Sequence, residues 1–186
     1  QMQITFIDST AGPTAEELAA QAEALAQPAT SESGYPKPPV IPRSVWCTDP
    51  ACNYSDGLEY HSVTHLILHH TVTNIDADSA AAVRAIWRFH TFNNGWGDIG
   101  YNYLVDKDGI IYEGHLGGDD VVGTHASGAN TGSMALSMLG TFTTVSPPEA
   151  MRNAAANLFA WKADQKGIDV FDASRLPNMS WGLPHV

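Results

Sequence analysis

Between Val63 and His69 the chain is apolar and β-branched, and polar residues break the run on its far side. That pattern predicts a strand. Successive strand side chains alternate faces, so Val63, His65, Ile67 and His69 share one side, and Thr64, Leu66, Leu68 and His70 share the other. A second alternation sets Tyr101, Tyr103 and Val105 against Asn102, Leu104 and Asp106. The turn signal Asp108-Gly109 follows it, and Ile110 to Glu113 then forms the return strand of a hairpin. Met134 to Leu139 reads as a buried strand. Helical spacing governs Asp76 to Phe92, where Val83, Ile86, Trp87 and His90 fall on one stripe and Asp76 or Asp78 can cap. Asn93-Asn94-Gly95 ends that helix. A last helix opens at Ser146-Pro147-Pro148-Glu149 with capping-box spacing and a proline at its first position. Its buried face is Met151, Ala154, Ala155, Leu158 and Phe159, and Gly167 stops it.

Strands and helices are therefore mixed along the chain. The expected class is α/β, a mixed central β-sheet flanked by helices, as a single domain with an N-terminal extension. The extension covers residues 1–42 and the domain residues 43–186. Within the extension, Gln3 to Ile7 reads as a short strand, and Thr14 and Glu17 have capping-box spacing ahead of a helix to about Ala26. Gln27 to Pro42 is rich in Pro, Ser and Gly and reads as a linker. Its bland role is a spacer; the alternative is an arm that docks on the domain or on a partner.

Composition narrows the functions. A chain of 186 residues with 44% hydrophobic residues can bury a substantial core. Its formal charge of −11 argues against a nucleic-acid partner, which calls for a basic face. No apolar run is long enough to span a bilayer. The sequence opens on Gln1 without a signal peptide, which reads as a processed product or a fragment. Cys47 and Cys52 are the only cysteines, and their closeness outside a CxxC pattern favours a small disulfide loop in an oxidising compartment.

The chemistry-bearing residues are His69, His70, Tyr101, His90 and His125. On a regular strand His69 and His70 point apart, so one can be a metal ligand and the other is a neighbour or a core residue. His90 sits on the apolar stripe of its helix as a packed core histidine. Tyr101 follows a glycine bend at Gly97 and Gly100. His125 lies in a glycine-bearing loop from Val121 to Ser133.

Taken together, the strings PRSVW (Pro42 to Trp46), HLILHHT, WRFHTFNNGWGDIGYNYLVDKDGIIYEGH, VVGTHASGANTGS and ALSMLGTF resemble the peptidoglycan recognition protein and type 2 N-acetylmuramoyl-L-alanine amidase family, in order and in spacing, from about Pro42 onward. The resemblance implies a zinc-dependent amidase, or one of its catalytically silent relatives. The bond cut would join the lactyl group of muramic acid to L-alanine of the peptidoglycan stem peptide. It implies Zn2+ held by two histidines and a cysteine or aspartate, with an open position for water. His69 matches the first ligand, and Tyr101 matches the tyrosine that bonds the attacking water or the developing oxyanion. Trp96, Asn102, His125, Asn130 and His70 match the substrate-binding positions. His115 stands where relatives carry arginine. A secreted, periplasmic or wall-associated location is implied as well.

The later ligands of the family fall in a segment that this sequence, running to Leu183-Pro184-His185-Val186, does not reach. His185 is a candidate substitute ligand, but it precedes the family position by several residues, and ligand geometry tolerates little displacement. Two expectations follow. Either the natural chain continues with a full zinc site, which His69 and Tyr101 together favour, or the chain is a non-catalytic peptidoglycan-binding module. A third class, an assembly protein using residues 1–42, has only linker composition behind it.

Overall fold

A computed structural model describes residues 34–53, 57–74 and 78–171. The expected strand and helix within residues 1–26, and Asp76 as a cap, lie outside the described residues.

Among the described residues, five strands form one sheet. In chain order they are β1 (Val40–Ile41), β2 (His65–His70), β3 (Tyr103–Val105), β4 (Ile111–Glu113) and β5 (Ser133–Met138). Their spatial order is β1-β4-β3-β5-β2. The β3–β4 hairpin is antiparallel, and the other pairings are parallel, so the sheet is mixed as expected. The helices are α1 (Arg43–Trp46), α2 (Ser79–Arg88) and α3 (Glu149–Lys166). Val40 and Ile41 lie in the stretch expected to be a linker. They instead form an edge strand, with Ile41 fully buried against the neighbouring β4. Two aliphatic residues beside an open strand edge gain more from pairing than the prolines around them forbid.

The sheet has two covered faces. On one, Met134, Leu136 and Met138 of β5 pack with Tyr103, Val105 and Ile111 against Met151, Ala155, Leu158 and Trp161 of α3. On the other, Leu104 and Tyr112 pack with Ile41, Trp46 and the Cys47–Cys52 disulfide against Val83, Ile86 and Trp87 of α2. The alternation along β5 therefore sends Ser133, Ala135 and Ser137 to the α2 side. In register with them across the parallel pairing stand His65, Ile67 and His69 of β2. Beyond the reach of α2, that strip of sheet is the floor of the candidate site.

Two helix ends differ from the sequence reading. Asp78 caps α2 as expected, its Oδ1 accepting from the Ala81 amide at 2.8 Å. The helix ends at Arg88, however, and one wide turn from Phe89 to Asn93 follows, closed by the Asn94 amide on the Phe89 carbonyl at 3.0 Å. At α3 no side chain caps the start. The helix begins at Glu149 after Pro148, so Ser146 forms no capping box and both prolines precede the first turn. Pro148 is extended, which spares the helix a ring inside its first turn. Gly167 ends α3 in the left-handed region as anticipated. The buried face holds Met151, Ala155 and Leu158 and adds Trp161 and Lys162, whereas Ala154 and Phe159 are half-buried.

A buried polar brace ties α1 to the loop that precedes β3. Arg43, 2% exposed, bonds the Cys52 and Gly114 carbonyls and forms an ion pair with Asp98. Asp98 also accepts from the amides of Ile99 at 2.7 Å and Leu116 at 2.9 Å. A buried guanidinium and carboxylate persist only when such bonds satisfy both, which explains why the backbone is gathered around this pair. The brace fixes the path of the chain into Tyr101.

Candidate active site

The site is assembled where the end of β2, the turn before β3 and the loop before β5 meet. His69 is carried by β2 on the sheet's α2 side. Its ring centroid is 5.4 Å from that of Tyr101 and 5.1 Å from that of His125. His69 Nε2 lies 3.0 Å from His125 Nδ1. All three residues are half-buried, so the cluster is reached from solvent. Tyr101 precedes β3 rather than lying in it, since regular pairing starts at Tyr103. Freed from the strand, its ring turns toward His69.

Backbone contact explains how Tyr101 and His125 come together. Gly100 and Gly123 back onto one another, with the Thr124 amide donating to the Gly100 carbonyl at 2.9 Å. A Cβ added at Gly100 would sit 2.2 Å from the Thr124 oxygen, and one at Gly123 would sit 2.3 Å from the Gly100 oxygen. Only glycine allows this approach. The residue after Gly100 is the tyrosine, and the histidine is two past Gly123.

The loop holding His125 is tied from within. Asn130 Oδ1 accepts from the amides of His125 at 2.9 Å and Ala126 at 2.8 Å. Ser133 Oγ lies 3.1 Å from His125 Nε2. Behind Tyr101 stand two more rings. His90 is 5.5 Å from Tyr101 and 4.6 Å from Trp96, centroid to centroid. His90 Nδ1 accepts from the Gly100 amide at 3.1 Å. The wide turn after α2 places His90 under both aromatics, and such turns recur at functional sites. His90 is buried, as its helical stripe predicted, yet it also backs the cluster. Its bond to Gly100 has no signature in the sequence.

Burial sets the protonation of these groups. It pushes His69 below the ordinary imidazole range, and the neighbouring His70 adds to the shift. It pulls His125 down to about 3, helped by His69. Tyr101 is raised by burial, while the hydroxyl of Ser137 pulls the other way from beyond ordinary hydrogen-bond length. At neutral pH the cluster thus offers neutral imidazoles beside a phenol that keeps its proton. Such a set can accept from a ligand's N–H or O–H groups and donate to a carbonyl or an oxyanion.

The remaining expected positions divide. Trp96 is 41% exposed and packs on His90 behind Tyr101. Asn130 acts on the loop backbone through its Oδ1. Asn102, expected to line the substrate site, is corrected. It is 1% exposed, its Nδ2 donates to the Gly118 and Val121 carbonyls, and its Oδ1 accepts from the Ala135 amide. It braces β5, with both ends of its amide committed inside the fold. His70 points to the opposite face from His69, as alternation requires. Its Nδ1 accepts from the Phe142 amide at 2.9 Å, so it is not brought into the cluster. His115 is buried, with Nδ1 at 2.7 Å from the Leu116 carbonyl and 3.8 Å from Asp98.

A catalytic zinc takes three protein ligands. Among the described residues, no group of three or more His, Cys, Asp and Glu side chains is placed to hold a metal. Cys47 and Cys52 are joined to each other. His69 fits as one donor, but the described residues do not close the set.

The chain is similar to known proteins over the part that carries this site. The family model described as N-acetylmuramoyl-L-alanine amidase matches residues 59–176. Peptidoglycan-recognition protein SC2 of Drosophila simulans is 32% identical over 124 residues, 65% of this chain and 65% of that protein. The human N-acetylmuramoyl-L-alanine amidase is 32% identical over 140 residues, 73% of this chain but only 24% of its own length. The chain thus spans less than two thirds of the curated relatives it matches. A solved structure of peptidoglycan recognition protein-LE in complex with tracheal cytotoxin, a monomeric diaminopimelic acid-type peptidoglycan, superposes with a TM-score of 0.62 at 31% identity, covering 70% of this chain and 76% of that one.

Proposed function

This chain belongs to the N-acetylmuramoyl-L-alanine amidase family, and on that premise we propose that the cluster of His69, Tyr101, His125 and Trp96 takes the muramyl-peptide portion of peptidoglycan. The reaction proposed for the site is hydrolysis of the amide between the muramic acid lactyl group and L-alanine. The observation that carries this reading is the approach of the His69 and Tyr101 rings to 5.4 Å on the open floor of the sheet.

The roles follow from the chemistry of each group. Tyr101 keeps its proton at neutral pH and donates to the oxygen on which negative charge develops. His125, also neutral, accepts a hydrogen bond from the substrate. Trp96 offers an exposed aromatic face against which a sugar ring or an apolar stem residue can stack. His69 would supply one nitrogen to a zinc ion. A bound zinc polarises an amide carbonyl and makes water nucleophilic near neutral pH. The charge of −11 suits a site that binds by hydrogen bonds and stacking. The proposed location is secreted, periplasmic or wall-associated. Among the described residues no helix is long and apolar enough to cross a membrane.

A second reading has its own observation. A relative, peptidoglycan recognition protein-LE, is solved in complex with tracheal cytotoxin, which supports a module that binds peptidoglycan without cutting it. Incubation with purified peptidoglycan, with and without added zinc, separates the two. Release of stem peptides bearing a free L-alanine amino group supports the amidase. Binding without release at saturating zinc supports the module. Absence of both overturns the proposed function.

A further inference from the structure

Two serines interrupt an otherwise apolar, fully covered strand. Ser133 is 2% exposed and Ser137 is 0% exposed in β5. A buried hydroxyl is costly unless it is bonded, so its partners show what it does. Ser133 Oγ has three neighbours, the Ala129 carbonyl at 2.5 Å, the Asn130 carbonyl at 3.0 Å and His125 Nε2 at 3.1 Å. A hydroxyl has a single proton. Two of the three neighbours are carbonyl oxygens, which can only accept. Were the proton directed at His125, the serine oxygen would face both carbonyls, lone pair to lone pair, at 2.5 and 3.0 Å. The proton therefore belongs to the carbonyl side, and Ser133 Oγ accepts from His125.

We propose that Ser133 is a positioning residue that holds His125 in the Nε2–H tautomer, so that its bare Nδ1 is presented beside His69 as a fixed acceptor for a ligand N–H or O–H. With the proton on Nε2, Nδ1 of the neutral ring has only its lone pair. That lone pair points to His69 Nε2, 3.0 Å away. In the ligand-free chain His69 Nε2 is consequently the donor of that bond. Asn130 prevents the alternative by holding the His125 and Ala126 amides, so the ring cannot swing out with its loop. A ligand N–H or O–H that takes the place of the His69 N–H meets a single, oriented acceptor rather than a ring that averages between two tautomers. Its use in taking up a muramyl peptide rests on the proposed function; the tautomer does not.

The test is a long-range 1H–15N spectrum of the histidine rings at pH 7.5, with chelator present and no ligand. The expected result is His125 with a protonated Nε2 and an acceptor Nδ1. Ser133→Ala is expected to mix the tautomers, and Ser133→Thr, which keeps the hydroxyl, to restore the single form. A wild-type His125 protonated on Nδ1 overturns the proposal, and so does a Ser133→Ala spectrum identical to wild type. Should Ser133→Ala fail to fold, the wild-type tautomer decides alone. A separate titration with muramyl tripeptide is expected to show roughly 3- to 10-fold weaker binding for Ser133→Ala, as for one lost neutral hydrogen bond. If the tautomer is as stated but no form binds muramyl tripeptide, the proposed function fails and the positioning role of Ser133 stands.

Discussion

His69 Nε2 and His125 Nδ1 meet at 3.0 Å although 56 residues separate them in the chain. One comes from an edge strand and the other from a loop, and neither position is fixed by local sequence alone. Their meeting depends on the sheet register, which sets His69 opposite Ser137 and His65 opposite Ser133, and on the glycine contact that sets the loop.

That contact yields the first prediction. Gly100→Ala and Gly123→Ala each drive a Cβ into backbone at 2.2 to 2.3 Å. Neither backbone can move away as a side-chain tip would. Each variant is expected to lose about 2–4 kcal/mol of stability, in the range of severe overpacking. Urea unfolding would measure it. A loss under about 0.5 kcal/mol for both would show that the two loops are not in contact.

The second concerns Tyr101. Its phenol keeps its proton because burial outweighs the opposing pull of Ser137. If it donates to a developing oxyanion, Tyr101→Phe should lower amide cleavage about 10²- to 10³-fold while changing muramyl-peptide binding only a few-fold. Single-turnover cleavage beside equilibrium binding provides the comparison. Equal losses in both would make Tyr101 a binding residue only.

These two cases show what the sequence made legible. The alternation in VTHLILHH announced that His69 and His70 part company, and the structure sends them to opposite faces. The hairpin, the buried β5 and the glycine stop at Gly167 were equally plain, because each rests on a local period or a local backbone demand. Asn102 was misjudged because a buried amide that bonds three distant backbone groups has no local signal. The same holds for the bond from the Gly100 amide to His90 and for the pairing of Val40 and Ile41 with β4. Position in a motif gave the neighbourhood of each residue. Only tertiary contact decided which way it faced.

The third prediction addresses the brace under the site. Arg43 and Asp98 are both almost fully buried and paired. Removing one partner leaves a buried charge unmatched, at a cost of roughly 3–5 kcal/mol. Asp98→Asn is therefore expected to lower the midpoint of thermal unfolding markedly. Arg43→Met with Asp98→Leu should recover part of the loss. A silent Asp98→Asn would contradict the burial of the pair.

The fourth concerns acid. On the α3 side, burial alone would raise Asp119, but Lys37 at 2.8 Å, the Tyr103 hydroxyl and Lys162 at 3.4 Å outweigh it and leave its carboxyl below the ordinary range. A carboxylate depressed in the fold contributes stability that is present above its unfolded pKa, about 3.9, and is lost as pH falls through the folded value. Asp119→Asn should thus be less stable than wild type at pH 7, with the gap closing below pH ~4. Denaturant curves at pH 7, 4 and 3 would show it, and a gap that is constant with pH would contradict it.

The location of the ligand site is tested most directly by following the histidine and tyrosine ring signals while muramyl tripeptide is added. Saturable shifts in His69, Tyr101 and His125, with His61 and the buried His115 unmoved, are the predicted result. Saturable binding that leaves those three rings unchanged, or no binding at millimolar ligand, would contradict the account.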